Sequence, residues 1–187
     1  MKKSLAFTIT LCLCASAFGQ GTIHFANTAS SLVTINGGPA IDYHVSLYWG
    51  VVGSTEAQVV QIGASLGNLN PALPGRFSSG VSYVTGNGTA PGANGIFEVR
   101  GWTGNFTTWE AAYADALAGG GELFANSGLF LNATGGDTAG GTQPPSTPAN
   151  LTGFRGFDIN CGPCPEPSTL PLGGLGAVGL LLFRRRK

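Results

Sequence analysis

Apolar and polar residues alternate one by one along "HVSLYWGVV" (44–52), so that Val45, Leu47, Trp49 and Val51 share one side while His44, Ser46, Tyr48 and Gly50 share the other. A period of two is the pattern of a half-buried strand. The same alternation runs through "GTIHFANT" around Ile23 and Phe25, "SLVTING" around Val33 and Ile35, and "NGIFEVRGW" around Phe97 and Val99. Further strands are expected over 58–64, 81–85, 123–130 and 152–160. Asn-Gly pairs at 36–37 and 94–95 supply turn chemistry. Seven or eight short strands separated by turns predict an all-β domain, an antiparallel β-sandwich of which a jelly roll is one arrangement.

One segment has a different period. In "TTWEAAYADALAGGG" the residues Trp109, Ala112, Tyr113, Ala116 and Leu117 fall on one helical stripe. A short amphipathic helix is therefore expected near 107–118, with Thr107 and Glu110 as a capping box and Gly119–Gly121 as its stop. A helix of about ten residues is marginal alone, so its Trp109 and Tyr113 are expected to dock on a sheet. From 132 to 150 the text "NATGGDTAGGTQPPSTPAN" offers almost nothing to bury and reads as a long loop inside the domain.

Composition narrows the class. Glycine fills 31 of 187 positions, more than twice its usual share of about 7%, which suits turns and disfavours a helical bundle. Charged residues are 10% of the chain, against about 25% in an average protein, so the surface is built from amides, hydroxyls and glycine. The net charge of zero conceals an uneven distribution: Lys2, Lys3, Arg184, Arg185, Arg186 and Lys187 sit at the two ends. Between residues 20 and 160 only Arg76, Arg100 and Arg155 stand against eight acids. An acidic body of this kind does not hold phosphate backbones, which excludes nucleic acid as a partner.

Candidate chemistry in the body is sparse. His24 and His44 are the two histidines, and neither has a second ligand at metal-binding spacing, so no metal and no cofactor is expected. Asp42 lies two residues before His44, a spacing open to an acid–base pair and equally to two neighbours on one strand face. Tyr48, Trp49, Trp102 and Trp109 are candidate stacking platforms for sugar rings, although Trp109 and Tyr113, on the helical stripe, are read as core in preference to a sugar platform. A hydrolytic reading needs two carboxyl groups, for example Glu98 and Glu110, to converge in one cleft.

The ends carry the clearest information. "MKKSLAFTITLCLCASAFGQ" has two lysines, an apolar run from Leu5 to Ala15 and small residues at the expected cleavage region, the layout of a secretory signal peptide. Cleavage after Gly19 would leave Gln20 first. Cys12 and Cys14 each follow a leucine and read as apolar filler. At the other end, Leu170–Phe183 is an uncharged run of 14 residues. As a helix it would span roughly 21 Å, short of a hydrocarbon core of about 30 Å. It is marginal as an anchor and adequate as a transient membrane insertion, stopped by Arg184–Lys187 on the cytoplasmic side.

Pro165-Glu166-Pro167, then this glycine-rich apolar helix, then Arg184, Arg185, Arg186 and Lys187, resembles the PEP-CTERM sorting signal of exported bacterial proteins. The resemblance implies an exosortase-type membrane protease as partner, cutting near the Pro-Glu-Pro element. It also implies passage through the inner membrane to the surface or matrix of a Gram-negative bacterium that builds extracellular polysaccharide. Signal peptidase and the general secretion machinery would handle the front end.

Two motifs near this tail are deceptive. Cys161-Gly162-Pro163-Cys164 has thioredoxin-like letters, but that chemistry needs a helix N-terminus to activate the first thiol. Pro165 and Pro167 come immediately after, and proline is tolerated in the first turn only. Cys161 and Cys164 are expected to form a disulfide, local or intermolecular, in an oxidising compartment, with free thiols or a metal contact as the alternative. Gly174-Leu175-Gly176-Ala177-Val178-Gly179 matches G-x-G-x-x-G, yet the eight residues after it hold no acid for a ribose.

The organisation expected is a signal peptide (1–19), a β-rich extracytoplasmic domain (20–160) and a sorting signal (161–187). The function expected is a non-enzymatic surface or matrix role, with a carbohydrate-binding module and a secreted hydrolase as the alternatives.

Overall fold

Asn36 and Gly37 turn the chain as their residue types demand, with φ of 50° and 76°, the positive pair that a two-residue hairpin requires. They close β2 (Val33–Ile35) onto β3 (Gly38–Pro39). The computed structural model describes residues 20–67, 69, 73–86, 88–136 and 147–160. The expected signal peptide (1–19), the expected C-terminal apolar helix and the residues of the sorting signal lie outside the described residues.

The centre of the fold is β4 (Tyr43–Gly50), which pairs antiparallel with β5 (Val60–Leu66) on one side and with β7 (Asn94–Thr103) on the other. The far edge of β7 is shared. β8 (Phe124–Asn126) covers Arg100–Trp102, and β9 (Phe130–Ala133) covers Asn94–Phe97. Two small sheets face this large one: β10 (Ala149–Asn150), β1 (Thr22–Ala26) and β6 (Ser78–Val84) in one, β11 (Phe157–Ile159), β2 and β3 in the other. Ile23 and Phe25, Val33 and Ile159, and Val45, Leu47, Phe97 and Val99 come from all three sheets, and each is 0% exposed in one shared core. Each such side chain withdrawn from water contributes roughly 1.5–3 kcal/mol. The sandwich expected from period two is thus observed. Most pairings are antiparallel, but β10 with β1 and β11 with β2 are parallel, so the last strands of the domain lie beside its first.

Several boundaries differ from expectation for identifiable reasons. Asn94-Gly95 opens β7 instead of forming a turn; a Cβ at Gly95 would come within 3.0 Å of the Trp49 indole nitrogen and of Phe97, so this glycine serves a close approach. The run 123–130 is two strands, split where Gly128 adopts φ 68°. The segment 132–150 contributes the end of β9 and all of β10. Asn132, buried, ties these pieces together. Its amide donates to the carbonyls of Ala133 (2.8 Å) and Asn150 (2.9 Å), and its oxygen accepts from Thr152 and Gly153.

Helix α1 (Trp109–Leu117) packs on the outer face of the large sheet. Its N-cap is Thr108, whose hydroxyl accepts from the Ala111 N–H at 3.3 Å. The expected Thr107–Glu110 box does not form, and the Glu110 carboxylate faces Tyr48 instead. The helix stops at Gly119, φ 91°, with the Gly120 N–H on the Asp115 carbonyl and the Gly119 N–H on that of Ala116, a Schellman closure. Ala112 is its one fully buried residue among Trp109, Tyr113 and Ala116, while Leu117 leaves the stripe at 49% exposure.

Candidate functional site

Alternation along β7 sends Phe97, Val99 and Gly101 to the core and Glu98, Arg100 and Trp102 to the other face. Register then sets three rows on that outer face: Tyr48 opposite Glu98, Ser46 opposite Arg100, and His44 opposite Trp102. β8 extends two of the rows with Asn126 beside Arg100 and Phe124 beside Trp102. The outer face is not solvated, because helix α1 and the turns of 51–59 lie over it. Strand β4 is consequently buried on both sides from Val45 onward, where its alternation implied one.

Arg100 is the hub. Its Nε and a terminal nitrogen both donate to Glu98 Oε2 at 2.8 Å, and its guanidinium also donates to the Glu56 carbonyl at 3.2 Å. The guanidinium carbon lies 4.0 Å from the centre of the Tyr48 ring and 4.6 Å from that of Trp109, a double cation–π contact in a largely dry setting. Glu110 stands 3.8 Å from the same guanidinium and accepts the Tyr48 hydroxyl at 2.7 Å. Trp109 in turn stacks on Tyr113, 4.8 Å away and nearly parallel at 8°, and both stand perpendicular to Phe124.

Burial pushes the Glu98 carboxyl up from its ordinary value; Arg100 opposes that shift and the neighbouring Glu56 carboxylate adds to it. Glu98 Oε1 has no hydrogen-bond partner. Burial, with the Glu110 hydrogen bond second, raises Tyr48. Burial lowers His44, which lies flat on Trp102 at 5.5 Å. Asp158, at the exit of the domain, is held below the usual carboxylate range by the Thr34 hydroxyl at 2.6 Å and by the Gly37 N–H at 2.9 Å.

Two open depressions, of about 760 and 500 Å³, meet along Glu56, Trp109 and Tyr113. The first is also lined by Tyr48, Gln61, Arg100 and Glu110, the second by Phe124, Asn126, Phe157, Asp158 and Asn160.

The residues singled out from sequence are distributed unevenly around this groove. Trp102 is 0% exposed with its indole N–H on the Phe106 carbonyl, and Trp49 is 6% exposed with its N–H on Thr89. Tyr48 is 3% exposed beneath Arg100. These three present no ring face to a ligand, and Trp109 is engaged by both Arg100 and Tyr113. Tyr113, Glu56 and Asn126 line the groove although no sequence motif marks them as a site; only the helical stripe points to Tyr113. Glu98 and Glu110 do converge, on Arg100, but Glu98 is enclosed and only Glu110 reaches the depression. Asp42, exposed at φ 53°, stands apart from His44's stacking contact. Among the described residues no cluster of three His, Cys, Asp or Glu could hold a metal ion. Cys161, Cys164, Pro165, Glu166, Pro167 and Arg184–Lys187 lie outside the described residues; the described chain ends at Asn160, on the rim of the second depression.

The tail beyond Asn160 decides the route of the protein. Residues 163–187 match the PEP-CTERM protein-sorting motif. A PEP-CTERM signal marks its carrier for export, for membrane-held transit and for processing by exosortase, a membrane enzyme. Among the described residues no helix is long and apolar enough to cross a membrane. No curated protein and no solved structure matches the chain.

Proposed function

We propose that this protein is an exported surface or matrix component that acts by contact and not by catalysis. The observation that carries this reading is the PEP-CTERM match at 163–187. Arg100 is neutralised by Glu98 and roofed by aromatic rings, and no Ser, Cys or His is among the described residues that line the groove. The N-terminal segment acts as the secretory signal peptide, handled by signal peptidase and the secretion machinery. The basic cluster Arg184–Lys187 holds the tail until exosortase acts near Pro165-Glu166-Pro167. The host is a Gram-negative bacterium, and its exopolysaccharide is the surrounding medium.

Deleting Arg184–Lys187 is expected to mis-sort the protein, seen as loss of surface display in fractionated cells while expression persists. Unchanged display would contradict the proposed route. A carbohydrate-binding role is the second reading, supported by the partly exposed Tyr113 beside two open depressions.

A further inference from the structure

We infer that the groove beside helix α1 takes a glycan bearing protonated amino groups, such as a polymer with free glucosamine units, with Tyr113 as the stacking platform and Glu56, Glu110 and Asp158 as the ionic contacts. The inference rests on the carbohydrate-binding reading and adds the ligand's chemical class.

Aromatic geometry selects the platform. Trp109 already stacks on Tyr113 and carries the Arg100 guanidinium, so Tyr113, which lines both depressions, is the ring assigned to the ligand. Phe124 braces both rings from the sheet at 5.0 and 6.2 Å, which fixes the platform before any ligand arrives. A sugar ring offers such a face its apolar C–H surface, and an ammonium beside the phenol ring adds a cation–π attraction.

Charge selects the ligand. The three carboxylates around the two depressions are each anchored: Glu110 by the Tyr48 hydroxyl at 2.7 Å, Glu56 by the Asn126 amide at 2.7 Å, and Asp158 by Thr34 and Gly37. Anchored groups lose little side-chain freedom on binding. Among the described residues Arg100 is the one basic side chain lining either depression; Glu98 pairs with it at 2.8 Å and Glu110 stands 3.8 Å away. The groove therefore presents acceptors and negative charge, which suits amines and hydroxyls and repels uronates.

Calorimetric titration of the full-length chain in non-ionic micelles tests the assignment with glucosamine, glucose and uronate oligomers and with oligolysine. Glucosamine oligomers are expected to bind saturably, about tenfold tighter than glucose oligomers, and to weaken with added salt. Tyr113→Leu should abolish binding and Tyr113→Phe should keep it. Glu56→Gln and Glu110→Gln, which retain an acceptor oxygen, should each weaken it roughly threefold, all with unchanged circular dichroism. Equal affinity for glucose and glucosamine oligomers would overturn the amine assignment and leave a glycan site standing. Preference for uronates would also overturn it. Oligolysine binding as tightly as the amino sugar and insensitive to Tyr113→Leu would reduce the groove to a bare acidic surface. Silence with every glycan would remove the carbohydrate reading as well.

Discussion

Trp102→Ala is expected to destabilise the domain by about 3–5 kcal/mol, the usual cost of removing a large buried aromatic side chain, and to release helix α1 from the sheet. Trp102 is 0% exposed and is the centre of the small cluster that also holds Ala112 and Phe124. His44 stacks on it from the neighbouring strand, and its N–H satisfies the Phe106 carbonyl at 2.8 Å just before the helix begins. Helix α1 has nine residues, too few to persist without packing. Loss of the indole should therefore be seen twice: as a lower urea midpoint for the whole domain, and as faster amide exchange across 109–117 under native conditions. Trp102→Phe, which keeps most of the ring area but loses the donor, should fall between. An unchanged midpoint for Trp102→Ala would mean the helix is held by something other than this cluster.

Arg100→Ala is expected to cost a similar amount at neutral pH, about 3–5 kcal/mol for a buried pair stripped of one partner, and the cost should shrink on acidification. The sign is set by Glu98. Its folded-state pKa is already raised, so the stability it contributes is fully present below its unfolded value of about 4.3 and is lost as pH rises through the folded value. Arg100 is the group that opposes the rise; without it the folded value climbs further and more stability is lost by pH 7. At about pH 4 Glu98 is largely neutral in mutant and parent alike, leaving mainly the lost stacking on Tyr48 and Trp109. Urea titrations at both pH values check this, and a penalty that grows toward acid would contradict the assigned role of the pair.

Local sequence and long-range assembly are unequally legible. The hairpin at Asn36-Gly37 and the stop at Gly119 are readable because a positive φ is a demand on one residue. The strand alternation from Val45 to Trp49 and from Phe97 to Val99 is readable because the inner face sees one continuous core. Asn94-Gly95 misleads because glycine answers two needs, and here close packing against Trp49 outweighs turning. The burial of the second face of β4 is hidden, since the roof over it comes from 51–59 and from α1, which carry no period that points at β4. The same holds for the site. Glu98 and Arg100 are visibly two apart on one strand, but that Glu56, Glu110, Tyr48 and Trp109 close around them depends on contacts 44 or 62 residues distant along the chain. Tyr48, Trp49 and Trp102 are covered for that reason. The sorting tail needs no such assembly, because it is recognised as an ordered run of local features.

The central claim, a β-domain delivered by a removable tail, is tested most directly by intact-mass spectrometry of the protein recovered from its native host. The account predicts an extracellular species that begins at Gln20 and ends near Pro165-Glu166-Pro167. A cytosolic species running unbroken from Met1 to Lys187 would contradict it.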